Sequence, residues 1–148
     1  MKYLKRFSTK YSLLEQSNES LDREGLKDFC EINLAYLVDE GVEVVTQLYY
    51  KDEEQVKIYF HGDMSWDKCK DHVIPFLTRL VNKYELLEDD FIIVVADNSR
   101  KTNYNRFSYK LGCDEVKDID QILTDSTHSN DSKDLVMYEI LFYVKSEK

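Results

Sequence analysis

The chain has 148 residues, of which 43% are hydrophobic and 33% are charged, and its formal net charge is -9. This length suits one hydrophobic core, so we expect one domain over residues 20–148, preceded by a basic N-terminal arm or short helix over residues 1–19. Three cysteines without a Cys-x-x-Cys pair argue against a disulfide framework or a zinc site and favour a reducing, cytoplasmic compartment. The longest apolar run, residues 91–96, is too short to span a bilayer, and residues 1–10 lack the apolar stretch of a secretory signal.

Positive charge is concentrated in two short segments, residues 1–10 and residues 100–110. Each contains four cations and no acid, so the rest of the chain is more acidic than the net charge suggests. An acidic body repels polyanions at long range, which disfavours general adhesion to nucleic acids or membranes.

The first helix is predicted after Ser20, a plausible N-cap, and before Gly41, which supplies a left-handed stop. Its apolar face carries Leu26, Phe29, Cys30, Leu34 and Leu37. Alternation over residues 42–50 and 55–61, with a polar loop at residues 51–54, predicts a β-hairpin. Ser65 is then expected to cap a second helix with a long apolar stripe, and this helix is expected to kink or restart at Pro75.

The second half of the chain is predicted to be richer in strands. Residues 88–90 indicate an acidic turn, and the unbroken apolar run 91–96 is typical of a central strand covered on both faces. Residues 104–111 suit an edge strand, residues 116–123 a short helix, and residues 124–134 a flexible loop. The last strand, residues 135–145, is expected to place one apolar set on one face: Val136, Tyr138, Ile140, Phe142 and Val144.

These elements predict an α+β fold with the order α-β-β-α-β-(β)-α-β. We expect a two-layer sandwich in which a mixed or antiparallel sheet of four or five strands carries two main helices on one face.

No catalytic, cofactor or metal site is predicted from the residue patterns. Cys69 and His72 lie on the second helix, but Cys69 belongs to its apolar stripe and is expected in the core. Cys113 opens a helix, a position that lowers a thiol pKa, yet no histidine is near it in sequence. Whether Cys113, His61 or Asp97, which ends the apolar strand, join a tertiary site stays open. The three histidines have no ligand spacing, residues 125–136 lack the glycine and glutamate of a calcium loop, and no glycine-rich phosphate loop occurs.

Residues 100–110 combine cations with aromatic side chains, a composition used to bind single-stranded nucleic acid. The candidate contacts for an anion or a nucleic acid are Arg100, Lys101, Tyr104, Arg106, Phe107 and Lys110. The competing interpretation is an edge strand protected against aggregation by its Lys and Arg side chains.

Two stretches carry a resemblance. Residues 1–7, 18–20 and 26–30, together with residues 66–77, resemble uncharacterised small proteins of tailed phages over about 30 residues in all. The resemblance implies no activity. In addition, Leu13-Leu14-Glu15 after the basic segment is similar to the Leu-x-Glu site at which the prohead protease cuts internal head proteins of T-even-like phages; chance occurrence in a leucine-rich helix is the alternative.

The function predicted from the sequence is therefore non-enzymatic. We expect a phage-encoded protein that binds a host or virion protein through its sheet edge or its acidic surface. The alternatives are a nucleic-acid-binding module using residues 100–110, an internal virion protein with a cleavable N-terminal lead, and an enzyme whose site assembles only in the folded chain.

Overall fold

The computed structural model describes residues 21–97, 105–126 and 135–148. The helices are α1 (Arg23–Asn33), α2 (Ala35–Asp39), α3 (Trp66–Lys83), a 3-10 helix (Cys113–Asp118) and α4 (Ile119–Ser126). The strands are β1 (Val42–Tyr50), β2 (Glu53–Phe60), β3 (Tyr84–Asp97), β4 (Asn105–Gly112) and β5 (Leu135–Glu147).

The five strands form one sheet in the order β1-β2-β5-β3-β4, and every neighbouring pair is antiparallel. The last strand in the sequence therefore lies in the middle of the sheet, between two hairpin-like pairs. The predicted α+β class, the antiparallel sheet and the order of the elements are confirmed.

The core lies between the helices and one face of the sheet. From α3 it receives Trp66, Phe76 and Leu80, which are fully buried along one stripe as their helical spacing predicts. From the sheet it receives Phe91 and Phe142, whose rings meet edge to face at 5.7 Å between centroids. The indole of Trp66 donates a 2.7 Å hydrogen bond to Asp120, which ties α3 to α4.

The first helix differs from the prediction at both ends. Its N-cap is Asp22 rather than Ser20, because the Asp22 carboxylate accepts a 2.9 Å hydrogen bond from the Gly25 amide. A Cβ at Gly25 would collide with that carboxylate, which explains a glycine in the first turn. The helix breaks at Leu34 and resumes as the short α2, and Gly41 follows with a φ of 111°, as predicted.

The second helix does not restart at Pro75, one of the two predicted outcomes, and a kink there stays a prediction. α3 continues through Pro75 to Lys83. The carbonyl that loses its amide partner belongs to Asp71, an exposed residue, so water can solvate it while the buried stripe holds the two halves together. The hairpin loop is also shorter than predicted, because β2 already begins at Glu53.

Two irregularities in the pairing of β3 with β5 differ from the prediction. The predicted acidic turn at residues 88–90 lies within β3, where Glu88 and Asp89 adopt positive φ at an irregularity in the pairing with β5. In β5, Val95 pairs with Met137 and Val94 with Glu139, so Tyr138 is an extra residue in a β-bulge. Tyr138 consequently does not share a face with Ile140 and Phe142, contrary to the prediction.

One buried charge is found in the described part of the chain. Glu54 on β2 is 3% exposed, and its carboxylate accepts a 2.9 Å hydrogen bond from Nε of Arg23 at the start of α1. The pair joins the first helix to the hairpin. A buried carboxylate that lost its cation would keep its desolvation cost without compensation.

We therefore expect Arg23→Ala to lower the free energy of unfolding by about 2 kcal/mol, since Arg23 itself is partly exposed to solvent. The control is Arg79→Ala, which removes only a hydrogen bond to the side chain of Asn33 and should change stability by less than about 0.5 kcal/mol. Urea unfolding followed by circular dichroism measures both. Equal losses in the two variants would contradict a structural role for the Arg23–Glu54 pair.

Candidate functional site

The sheet has a second face, opposite the helices, which we call the open face because no described element covers it. One row of neighbouring residues crosses all five strands on this face: Val45, Lys57, Leu141, Ile92 and Lys110. The next row contains Glu43, Tyr59, Glu139, Val94 and Ser108. The prediction that residues 91–96 are covered on both faces holds for Ala96, which is fully buried, but not for Ile92 and Val94 on the same face, which are only partly buried.

Tyrosines border the aliphatic centre of the open face. Tyr143 on β5 contacts the ring of Tyr49 on β1, with 4.5 Å between ring centroids, and its hydroxyl accepts a 3.1 Å hydrogen bond from Gln55. Farther along β2, Tyr59 stacks on His61, whose Nε2 lies 3.3 Å from Glu43. These contacts hold broad amphipathic rings on an exposed surface, which is typical of protein interfaces.

The basic and aromatic residues predicted as nucleic-acid contacts are divided between the two faces of β4. Arg106 and Lys110 lie on the open face, whereas Phe107 points to the helix side with Tyr109 and packs against the core. Arg100, Lys101 and Tyr104 lie outside the described residues, and their role stays a prediction.

Each of the two cations on β4 has a partner within the protein. The Arg106 guanidinium carbon lies 4.2 Å from the ring centroid of Tyr138, the residue that the β5 bulge places on the open face. Lys110 lies 3.3 Å from Asp90 and 3.7 Å from Glu88, and these carboxylates, Asp90 foremost, raise its pKa. Lys110 is thus engaged by acids, while Arg106 forms part of an aromatic surface.

A cavity of about 640 Å³ opens at the end of the sheet where α3 meets β3. Cys113 and Lys148 line it together with five acids: Glu88, Asp89, Asp90, Asp114 and Glu115. Within the described part of the chain, no three acid, cysteine or histidine side chains are arranged to hold a metal ion. Acids are therefore the main charged side chains that line this cavity.

Cys113 behaves differently from the expectation for a helix N-terminus. Partial burial, followed by the nearby carboxylate of Asp89, raises the pKa of its thiol. The carboxylates of Asp114 and Asp90 also raise this pKa, while Lys148 lowers it. The thiol therefore stays protonated at neutral pH, and a thiol is a weak nucleophile.

The other residues considered for catalysis are not brought together. Cys69 is fully buried in the core, and burial raises its pKa to about 12, as it does for Cys30. His72 stacks on the ring of Tyr36, with 4.8 Å between centroids. Because Asp90 pairs with Gly112 and Asp97 with Asn105, Cys113 lies at the opposite end of the sheet from Asp97; His61 follows the end of β2 on the Asp97 side.

Comparisons with known proteins give no further guide: no family model, no curated protein and no solved structure matches the chain. None of the described helices is both long and apolar enough to cross a membrane. The resemblance to tailed-phage proteins therefore stays a prediction, and Leu13-Leu14-Glu15 lies outside the described residues. The open face, which sequence patterns alone did not single out, is the candidate functional site among the described residues.

The raised pKa of Cys113 predicts slow alkylation. We expect its reaction with iodoacetamide to reach half its maximal rate at a pH above the value of about 8.5 typical of a free cysteine. Asp89→Asn, which keeps a side chain tolerated at positive φ, should move the profile to lower pH, and Asp28→Asn on the surface of α1 should not. Mass spectrometry of the labelled protein resolves Cys113 from the buried cysteines. A profile below that of a free cysteine peptide would show that the helix terminus dominates.

Proposed function

We propose that the protein is a non-enzymatic binding protein that docks a partner protein on its open face. The observation that carries this proposal is the aliphatic centre of that face: Ile92, Val94 and Leu141 are partly exposed on the two central strands, and no described element covers them. Burial of such side chains against a partner is favourable by about 25 cal/mol for each Å² of apolar surface removed from water.

The charge of the open face suits a protein partner. Lys57 and Lys110 in one row are balanced by Glu43 and Glu139 in the next, so these two rows carry no net charge on a molecule whose net charge is -9, and Arg106 on the same face lies against the Tyr138 ring. Protein interfaces are enriched in aromatic residues and their centres are depleted in unpaired charge; here tyrosines border an aliphatic centre. Small-molecule sites are concave clefts. The two rows of the open face instead spread across all five strands, which favours a protein partner over a small molecule.

The partner that we propose is a host or virion protein. This part of the proposal rests on the resemblance of residues 1–30 and 66–77 to small tailed-phage proteins. It keeps the protein-binding role predicted from the sequence, and it moves the main contact from the sheet edge or the acidic surface to the open face.

A photo-crosslinking experiment tests the docking surface. The variant Tyr143→p-benzoylphenylalanine carries the reactive group on the open face, and the matched control carries it at Ile32, which is 73% exposed on α1. The variants are irradiated in a nuclease-treated lysate of the cells in which the protein is produced. We expect one defined protein adduct from position 143 and none from position 32.

The same adduct should be lost when Ile92→Thr and Leu141→Thr are added, because polar substitutions remove the apolar centre of the face while retaining residues with high strand propensity. We expect at least a tenfold loss of the adduct, with circular dichroism unchanged. Adducts of equal yield from positions 143 and 32, or adducts that survive the two threonine substitutions, would contradict the proposal.

A nucleic acid is the second candidate partner, because Arg106 and Tyr138 form a cation–π pair on the same face. Anisotropy of a fluorescent single-stranded oligonucleotide at low salt separates the two candidates. Salt-sensitive binding that disappears on Arg100→Ala, Lys101→Ala and Arg106→Ala would favour nucleic acid, whereas no binding favours the protein partner. The third candidate, an internal virion protein, requires an N-terminus cut after Glu15 in protein recovered from purified particles.

A further inference from the structure

The first strand of the sheet is an edge strand with an apolar, uncharged stretch. Nothing in the described part of the chain pairs with the outer side of β1. The strand ends in three large side chains that are more than half exposed: Leu48 (56%), Tyr49 (53%) and Tyr50 (61%). Unpaired edges of this length and composition readily add another strand.

The two edges of the sheet differ in their protection. β4, at the other edge, carries Arg106 and Lys110 on its eight residues, and lysine and arginine on an edge strand discourage further pairing. β1 carries one charged side chain, Glu43, and none from Val44 to Tyr50. Only one edge of the described sheet is therefore suited to strand addition.

We propose that β1 pairs with β1 of a second copy of this chain, antiparallel across a twofold axis, to form a continuous ten-stranded sheet. With the axis at Thr46, Val44 lies opposite the partner's Leu48 and Val45 opposite the partner's Gln47. Glu43 lies opposite the partner's Tyr49, so no two acids face each other. Leu48 at the exposed end of one β1 thus meets the apolar beginning of the other, whereas Tyr49, at an irregularity in the pairing of β1 with β2, meets Glu43.

Closure of the assembly favours a second copy over an unrelated strand. Twofold pairing uses the same surface on both copies and stops at a dimer, because only the two β4 edges remain, and these are protected. A strand added from an unrelated protein would itself become the new edge of the sheet, and its outer side would be unpaired. The pairing also places both open faces on the same side of one sheet, so this dimer doubles the surface proposed above for the partner protein without using any residue of its aliphatic centre.

Light scattering over a range of about 1 to 200 µM tests the dimer, because this range reaches above the micromolar dissociation constants at the weak end of protein interfaces. We expect the mass to rise from 17.6 kDa toward twice that value. Association should strengthen as salt is added, because two chains of charge -9 repel each other and salt screens that repulsion. A monomer at every concentration would overturn the proposal.

Matched variants locate the interface. Gln47→Lys with Leu48→Lys places two lysines on exposed positions of β1 and should raise the dissociation constant at least tenfold. The control, Gln121→Lys with Ile32→Lys, makes the same type of change on exposed helical residues and should leave the constant within about twofold, as expected for positions outside an interface. A dimer that survives the β1 variant, or is lost in the control, would overturn the proposal.

Amide hydrogen exchange gives an independent readout. Between the lowest and highest concentrations, protection should increase in residues 42–50 and stay constant in residues 105–112. Increased protection in residues 105–112 alone would place the contact on the wrong edge. The crosslinking test of the open face is independent of this result, because a monomer could still yield the adduct from position 143.

Discussion

β5 lies between β2 and β3 and holds the sheet together. β1 pairs with β2 and β3 pairs with β4, but only β5 joins these two pairs into one sheet. Phe142 at its centre contacts Phe91 on the neighbouring strand and Phe76 on α3, so the same strand also fixes the helices on the sheet. Because Gln55 pairs with Tyr143, this contact closes a long stretch of chain, and such non-local pairing slows folding.

The middle position of β5 also determines which surfaces are exposed. Helices cover one face of the sheet, and the buried side chains Ile140, Phe142 and Val144 point to them. The alternate positions, Leu141 and Tyr143, then necessarily lie on the other face. The open face is thus a direct consequence of placing a strongly apolar strand in the centre of a two-layer fold.

Periodicity predicted the regular elements and missed the irregular ones. The stripe on α3 and the alternation over residues 42–50 gave correct elements because each reflects burial on one side. The cap at Asp22 could not be told from Ser20, since both residue types cap helices. The bulge at Tyr138 was not predicted. Side chains of a strand alternate between its two faces, so one inserted residue changes the face on which the residues before it lie.

The candidate site was less predictable than the fold for a related reason. An unbroken run such as residues 91–96 indicates apolar surroundings on both sides, but a sequence does not say whether the second side is covered by the same chain or by a partner. Arg106 and Phe107 were expected to act together, yet adjacent strand residues face opposite sides. Tyr49 and Tyr143 are far apart in sequence, so their contact could be found only from the register of the sheet.

Hydroxyl-radical footprinting tests the central claim that the open face is bare in the free protein and buried in its complex. In the purified protein, Leu141 and Tyr143 should be oxidised faster than the core residue Phe142. Addition of the partner protein identified by crosslinking should protect Leu141 and Tyr143, while Ile32 stays reactive. Protection of Leu141 and Tyr143 in the protein alone, or equal reactivity with and without the partner, would contradict the account.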